Sequence, residues 1–271
     1  MKYLLGMTIA FALSLSILDS THDGETRAQT SAAEKDQRPV IVELFTSEGC
    51  STCPPADALL ARFEEQQPVD GAEIIALEEH VDYWNQQGWS DPFSASEWTL
   101  RQQQYVAAFK GDAVYTPQMI VDGQSQFIGG RIREVMAGIG VASRSPKTEI
   151  VIGRATSGES RVPQFAVSVG KLAGETEGNT AEVWLAITEK GLHSEVNRGE
   201  NAGKDLHHAA IVRWMHKAGV VDRRKTPLTF LGNTSVKLKP EWKMENLRIV
   251  AFVQEKTSRH ILGAASMKLA R

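Results

Sequence analysis

Apolar residues in the first half of the chain form short continuous runs that alternate with helically spaced ones. The run Val40–Thr46 is nearly continuous and rich in β-branched residues, which is typical of a strand covered on both faces of a sheet. Directly after it, the apolar residues follow the spacing of one face of an amphipathic helix, namely Ala56, Leu59, Leu60 and Phe63. The pattern predicts a buried strand that leads at once into a helix.

The same alternation continues to residue 145. Ser94 and Glu97 have the spacing of a capping box before a second helix, and Asp122-Gly123 is a hairpin signal. The order predicted between Pro39 and Ser145 is β-α-β-α-β-β-α, with the further strands at Ile74–Leu77, Gln118–Val121 and Gln126–Ile128 and the last helix around Ile132–Ile139.

The second half of the chain has a different pattern, in which apolar residues recur at every second position. Val183, Leu185 and Ile187 are one such series, and turn residues separate several short runs of this kind. This predicts an all-β, sandwich-like domain. We therefore expect two domains, at residues 39–145 and 146–271, joined by a polar linker at Ser143–Lys147.

Composition and charge narrow the classes of function. The chain has 30 Lys and Arg against 33 Asp and Glu, a net charge of −3, so a nucleic-acid partner has no electrostatic support. Its two cysteines, Cys50 and Cys53, exclude a disulfide-dense scaffold and a four-cysteine zinc module. No phosphate loop or helical metal motif is present, and no cofactor is predicted.

The first 38 residues are predicted to be a signal segment and a disordered leader. Lys2 precedes an apolar run from Tyr3 to Leu18, which has the length of a secretory signal and is shorter than the roughly 20 residues of a membrane span. We expect a periplasmic or secreted protein. The alternative is an uncleaved N-terminal anchor, and no other membrane role is expected.

Cys50 and Cys53 form a Cys-x-x-Cys motif at the junction of the first strand and the first helix. The amides of a helix N-terminus stabilise a thiolate, and the thiolate is the form that attacks disulfides. The acidic residues Glu48 and Asp57 oppose this effect. We expect a mildly acidic Cys50 with a pKa of about 7, more exposed than Cys53. Thiol–disulfide exchange, a static disulfide and metal binding all stay open as uses of the pair.

From Pro39 to about Gly140 the chain resembles the thioredoxin superfamily, through Cys50-Ser51-Thr52-Cys53 and through Thr116-Pro117 before an antiparallel hairpin. The resemblance implies an α/β thioredoxin-like domain in which Pro117 is a cis-proline that faces the cysteines. It also implies that Thr116 binds a substrate backbone and that Glu43 carries protons for Cys53.

The chain more closely resembles a family of secreted bacterial proteins called domain of unknown function 1223. The segments that carry this resemblance are Glu43–Asp57, His80–Trp84, Asp91–Phe93, Tyr115–Gln118 and Arg198–Gly203. The resemblance implies a compartment and a fold, and it assigns no substrate.

Other residues are candidates for metal binding or substrate contact, although they form no defined motif. His80 follows the second strand and is a candidate third ligand beside the two cysteines. Trp84, Trp89, Phe93 and Trp98 either line a peptide groove or pack in the core. The later histidines, at positions 193, 207, 208 and 216, are interpreted as scattered. The loop Asn197–Gly203 is expected to dock on the first domain.

Three functions compete on these residues. The first is an extracytoplasmic thiol–disulfide oxidoreductase acting on protein or peptide thiols and disulfides, with Cys50 as nucleophile and Cys53 as resolving thiol. The second is a copper or zinc carrier that uses the cysteine pair and His80. The third is a non-catalytic secreted binding protein on a thioredoxin-like scaffold.

Overall fold

In the computed structural model of the chain, residues 37–154, 161–174, 178–225 and 227–270 are described. Most of the predicted signal and leader segment, residues 1–36, lies outside them. Over the described residues, no helix is both long and apolar enough to cross a membrane. Residues Gln37–Arg271 form one compact unit.

The described residues contain three α-helices, thirteen β-strands and two short 3-10 turns. The helices are α1 (Pro54–Gln66), α2 (Ser96–Ala108) and α3 (Ile132–Arg144), and the 3-10 turns are Arg223–Lys225 and Met244–Asn246. The strands are β1 (Arg38–Thr46), β2 (Ala72–His80), β3 (Gln118–Val121), β4 (Ser125–Ile128), β5 (Ile150–Arg154), β6 (Gln164–Val169), β7 (Thr180–Glu189), β8 (Leu192–Glu195), β9 (Asp205–His208), β10 (Ile211–Asp222), β11 (Leu228–Ser235), β12 (Leu247–Gln254) and β13 (Ile261–Lys268).

One mixed sheet of eight strands runs through both halves of the chain, in the order β13-β12-β7-β10-β2-β1-β3-β4. Strands β1 and β2 are parallel, and β3 joins β1 in the antiparallel direction. Strand β10 pairs with β2 at Ile211 and Glu78 and continues the sheet into β7 and β12. Strands β11, β6 and β5 form a smaller sheet.

The prediction of a thioredoxin-like domain followed by a separate all-β sandwich-like domain is therefore wrong. The order of elements up to α3 follows the predicted β-α-β-α-β-β-α, but strands from the second half join the same sheet. Alternation shows which residues of a strand face a core, and it does not show which strand lies beside which. Without β10, the edge of β2 that faces away from β1 would have unpaired backbone groups. Strand β10 pairs with that edge.

Alternate residues of β1 face opposite sides of the sheet. Val40, Val42 and Leu44 pack on the face that holds α1 and α3. Ile41 and Phe45 pack on the opposite face, which holds α2. This follows from the period of two residues in a strand. Glu43 therefore lies on the α2 face, away from the helix that begins at the cysteine pair.

Candidate functional site

Cys50 and Cys53 are joined by a disulfide in the turn between β1 and α1. The turn is closed by hydrogen bonds from the Cys50 amide to the Ser47 carbonyl (3.1 Å) and from the Cys53 amide to the Cys50 carbonyl (3.2 Å). Pro54 and Pro55 occupy the first positions of α1, where the missing amide hydrogens leave no helical bond unmade. Cys53 has helical backbone angles in spite of the proline after it. The pair thus stands at a regular helix N-terminus.

Both cysteines are buried, so the expected difference in exposure between Cys50 and Cys53 is negligible. Their side chains are 1% and 0% exposed, respectively, whereas Ser51 and Thr52 between them are exposed. The Thr52 hydroxyl lies 3.4 Å from Cys50 Sγ.

A loop from the second half of the chain covers this turn, as expected for residues 197–203. Asn201 is fully buried, and its amide donates to the carbonyl oxygens of Glu48 (2.8 Å) and Cys50 (3.0 Å). The Glu200 carboxylate accepts a hydrogen bond from the Ser51 amide at 3.0 Å. The loop between β8 and β9 is therefore held directly on the backbone of the motif.

Thr116 and Pro117 lie beside the first turn of α1. The peptide bond between them is cis. Gly129 fits between the two segments: a Cβ added there would lie 2.7 Å from Ala56 Cβ and 2.9 Å from Pro117 Cβ. The Thr116 hydroxyl accepts a hydrogen bond from Trp84 Nε1 at 2.9 Å. The structure brings both residues to the helix that carries the cysteines.

Glu43 is not brought to the cysteines. On the α2 face of the sheet its carboxylate accepts a hydrogen bond from Arg101 Nε at 2.6 Å and another from the Tyr105 hydroxyl. All three side chains are buried. This ion pair satisfies Glu43 where it lies, so a role in carrying protons for Cys53 has no geometric support.

Asp57 is the acid that shares a helix face with the cysteine pair. It lies one helical turn after Cys53, and residues four apart on a helix are neighbours. Its carboxylate is 3% exposed and accepts a hydrogen bond from the Thr46 hydroxyl at 2.6 Å. Burial, together with the negative charge of Glu78, raises the pKa of Asp57 to about 7. The spacing of four residues between Cys53 and Asp57 is the sequence signal that could have placed this acid near the cysteine pair.

A buried chain of carboxylates and imidazoles lies behind the motif. His208 lies between two acids, with Nδ1 2.7 Å from Glu78 Oε1 and Nε2 3.0 Å from Glu48 Oε1. His80 Nδ1 lies 2.7 Å from Asp91 Oδ2, and the same oxygen accepts the Glu48 amide at 2.8 Å. All five side chains are buried. These hydrogen bonds connect β2, β9 and the Asp91 segment to Glu48, two positions before Cys50.

The carboxylates set the protonation of the two imidazoles. Burial by itself lowers the pKa of His208, but Glu78 and Glu48 outweigh it and raise that pKa to about 9. Burial is likewise outweighed at His80, where Asp91 raises the pKa well above its usual range. In both histidines, the carboxylates paired with the ring therefore favour the protonated imidazole.

Among the described residues, Glu78, His80 and His208 are the set whose donor atoms are close enough to share a metal ion, within 4.8 Å of one another. This differs from the predicted set of His80 with the two cysteines. As the side chains stand, a metal would have to displace the proton that His208 shares with Glu78. Sequence spacing could not reveal the cluster, since His208 is 130 positions from Glu78.

The aromatic residues of the 84–98 segment have separate roles. Trp89 Nε1 donates to Glu48 Oε2 at 2.8 Å, and Phe93 packs edge-on against His80 and His208. Trp98 belongs to α2 and is buried in the core between that helix and the sheet. With Trp84 bound to Thr116, these side chains support the motif and the imidazole chain rather than line one groove.

Comparisons with known proteins give a family and a fold. The model of a family described as "Protein of unknown function (DUF1223)" matches residues 41–254. The crystal structure of protein AGR_C_4864 from Agrobacterium tumefaciens is similar, with 25% identity, a TM-score of 0.65, and coverage of 85% of this chain and 94% of that one. HBP35 of Porphyromonas gingivalis is similar in fold, with 17% identity, a TM-score of 0.59, and coverage of 87% and 76%. No curated protein matches the chain.

Proposed function

We propose that this chain, which belongs to the DUF1223 family of unknown function, is an extracytoplasmic thiol–disulfide oxidoreductase that acts through Cys50 and Cys53. The observation that carries the proposal is the disulfide at the N-terminus of α1. A disulfide that closes so short a loop adds only about 2 kcal/mol of stability in the loop-entropy model. A helix N-terminus, in contrast, favours the thiolate that exchange requires.

The exchange uses the chain's own groups as follows. A thiolate of a substrate protein or peptide attacks Cys50 Sγ, the Cys50–Cys53 bond breaks, and Cys53 leaves as a thiolate. The carboxyl group of Asp57, one turn along the helix, supplies the proton to Cys53. The second substrate thiolate then attacks the substrate sulfur of the mixed disulfide, its bond to Cys50 Sγ breaks, and Cys50 leaves as a thiolate that takes a proton from water. The substrate becomes a disulfide, the protein becomes a dithiol, and two electrons pass between them.

Trapping tests the order of attack. In Cys53→Ser the resolving thiol is absent, so incubation with an oxidised peptide should leave a stable mixed disulfide on Cys50, seen on a non-reducing gel and by mass. Cys50→Ser is the matched control and should trap none. Equal trapping by both variants, or by neither, would contradict the proposal. Thiol titration of reduced Cys53→Ser should place the pKa of Cys50 below the unperturbed value of roughly 8.5.

The covering loop should limit access to the disulfide. Asn201→Ala removes both hydrogen bonds to the motif, and we expect reduction by glutathione to become roughly tenfold faster, as expected when about 1.4 kcal/mol of loop docking is lost. Asn197→Ala is the control, because Asn197 lies exposed in the same loop. If the two variants and the unmodified protein are reduced at one rate, the loop does not gate the site.

A further inference from the structure

A cavity of about 1020 Å³ lies between the C-terminal end of α2, the β3–β4 turn and the β12–β13 turn. It shares no residue with the cysteine site. Cationic side chains dominate its lining, with Lys110, Lys217, Lys256 and Arg259 among them, and Glu182 is the acid there. Glu182 is already paired with Lys217 at 3.1 Å. The lining therefore carries a net positive charge.

Arg259 is the buried cation of this cavity. It is 6% exposed, its Nε and one terminal nitrogen have no hydrogen-bond partner among the described residues, and no ion pair holds it within that part of the chain. Its guanidinium lies over the Tyr105 ring, 5.5 Å from the centroid. A buried guanidinium without an acceptor is costly, because the desolvation of its donors is not repaid.

The backbone of Arg259 is fixed in an unusual conformation. Its φ is 63°, in a region that side chains with a Cβ rarely occupy. Gln254 Nε2 donates to the Arg259 carbonyl at 2.7 Å, and a Cβ on Gly123 would lie 1.9 Å from that oxygen. Strained residues of this kind are concentrated at ligand sites. The turn thus fixes the backbone from which the Arg259 side chain reaches the cavity.

The acids nearest to Arg259 contact other side chains. Glu43 is engaged by Arg101 and Tyr105. Glu79 lies beside Arg101, with its Oε1 3.4 Å from Arg101 Nε. Burial and the charge of Arg101 lower the pKa of Arg259, yet a guanidinium stays protonated in proteins. Within the described residues, the Arg259 guanidinium therefore has no carboxylate in ion-pair contact.

Two more donors at the cavity also have no acceptor among the described residues. They are Gln124 Nε2 and Trp184 Nε1, and both residues line the same cavity as Arg259. A single group with several acceptor oxygens satisfies donors of this kind and neutralises the cation at once. A planar guanidinium fork binds carboxylate and phosphate oxygens in two parallel hydrogen bonds.

We infer that this cavity binds a small oxyanion, the carboxylate or phosphate group of a soluble metabolite, with Arg259 as its counter-ion and Gln124 and Trp184 as further donors.

Calorimetric titration of the full chain with inorganic phosphate and with succinate tests this inference, with sodium chloride as the reference salt. We expect saturable binding of at least one of the two anions, and the anion that binds tells phosphate from carboxylate. Arg259→Gln should weaken that binding by tenfold or more, since loss of a hydrogen bond to a charged group changes a binding constant by a factor of roughly 10 to 100.

Two further variants keep the test decisive. Gln124→Met keeps the side-chain length and removes one donor, and should weaken binding by roughly fivefold even if Arg259→Gln does not fold. Arg224→Gln removes an equal charge from an exposed position and should leave binding unchanged. Equal weakening by Arg224→Gln and Arg259→Gln, or no saturable binding of either anion by the unmodified chain, would overturn the inference.

Discussion

Replacing His208 with leucine should lower the free energy of unfolding by about 3–5 kcal/mol, the cost of breaking a buried ion pair from one side. Glu48 and Glu78 are each at most 1% exposed, and His208 bridges them at 3.0 and 2.7 Å. Leucine fills the space and supplies no proton donor, so two carboxylates lose their common cation in a site that water cannot reach. Urea denaturation at pH 7 measures the change.

His207 is a matched control for this change. It precedes His208 on β9 and its side chain is 73% exposed, with a surface contact to Asp205. His207→Leu should alter the free energy of unfolding by no more than about 0.5 kcal/mol, as surface substitutions usually do. Similar losses in the two variants would show that the imidazole of His208 has no special part in the fold.

The same histidine predicts the alkaline limit of stability. The pKa of His208 is about 9 in the folded chain, against about 6.5 when unfolded. A group whose pKa is raised by folding stabilises the fold fully below its unfolded pKa and loses that effect as the pH rises through the folded one. The unmodified protein should therefore lose stability between about pH 7 and 9, and His208→Leu should lack the part of that loss that His208 contributes, while the part due to His80 stays.

The sequence predicted the elements around the motif because their patterns are local. The run of Val40–Thr46, the helical spacing after Cys53 and the hairpin at Asp122-Gly123 each depend on neighbouring residues alone. Besides β1, the neighbour of β2 in the sheet is β10, more than a hundred residues along the chain, and no local pattern encodes that pairing. For this reason the first half could be divided into elements while the architecture of the whole was mispredicted.

The candidate site shows the same division. The positions of the cysteines, Thr116 and Pro117 came from short motifs. The side of the sheet on which Glu43 lies was hidden by a strand that is apolar on both faces. His208 gave no signal at all, since it stands beside an exposed histidine and meets Glu48 and Glu78 only in the folded chain. Buried charge pairs between distant segments are the part of a site that one sequence conceals.

Asp57→Asn should slow closure of the reduced cysteine pair at pH 8 by roughly a hundredfold, the lower range for loss of a general base. With a pKa of about 7, Asp57 is ionised at pH 8 and takes the proton of Cys53 as that thiol attacks. At pH 5 the carboxyl group is protonated, so the variant and the unmodified protein should close at similar rates. Stopped-flow oxidation by a disulfide peptide across pH 5–9 measures both limits, and Asp70→Asn, on an exposed position, is the control.

The stability of the same variant separates a chemical role for Asp57 from a structural one. Folding raises the pKa of this acid above its ordinary value of 3.8, so the fold favours the protonated form and loses stability as the pH rises from about 4 to 7. Asparagine cannot ionise, so Asp57→Asn should be more stable than the unmodified protein at pH 8, by roughly 2–4 kcal/mol, and nearly equal at pH 4. If Asp57 carries protons and its burial lowers the stability of the fold, the variant should be more stable than the unmodified protein. Its disulfide closure should be slower only above pH 7. A variant that is less stable at pH 8, or that closes at the unmodified rate there, would remove Asp57 from the mechanism.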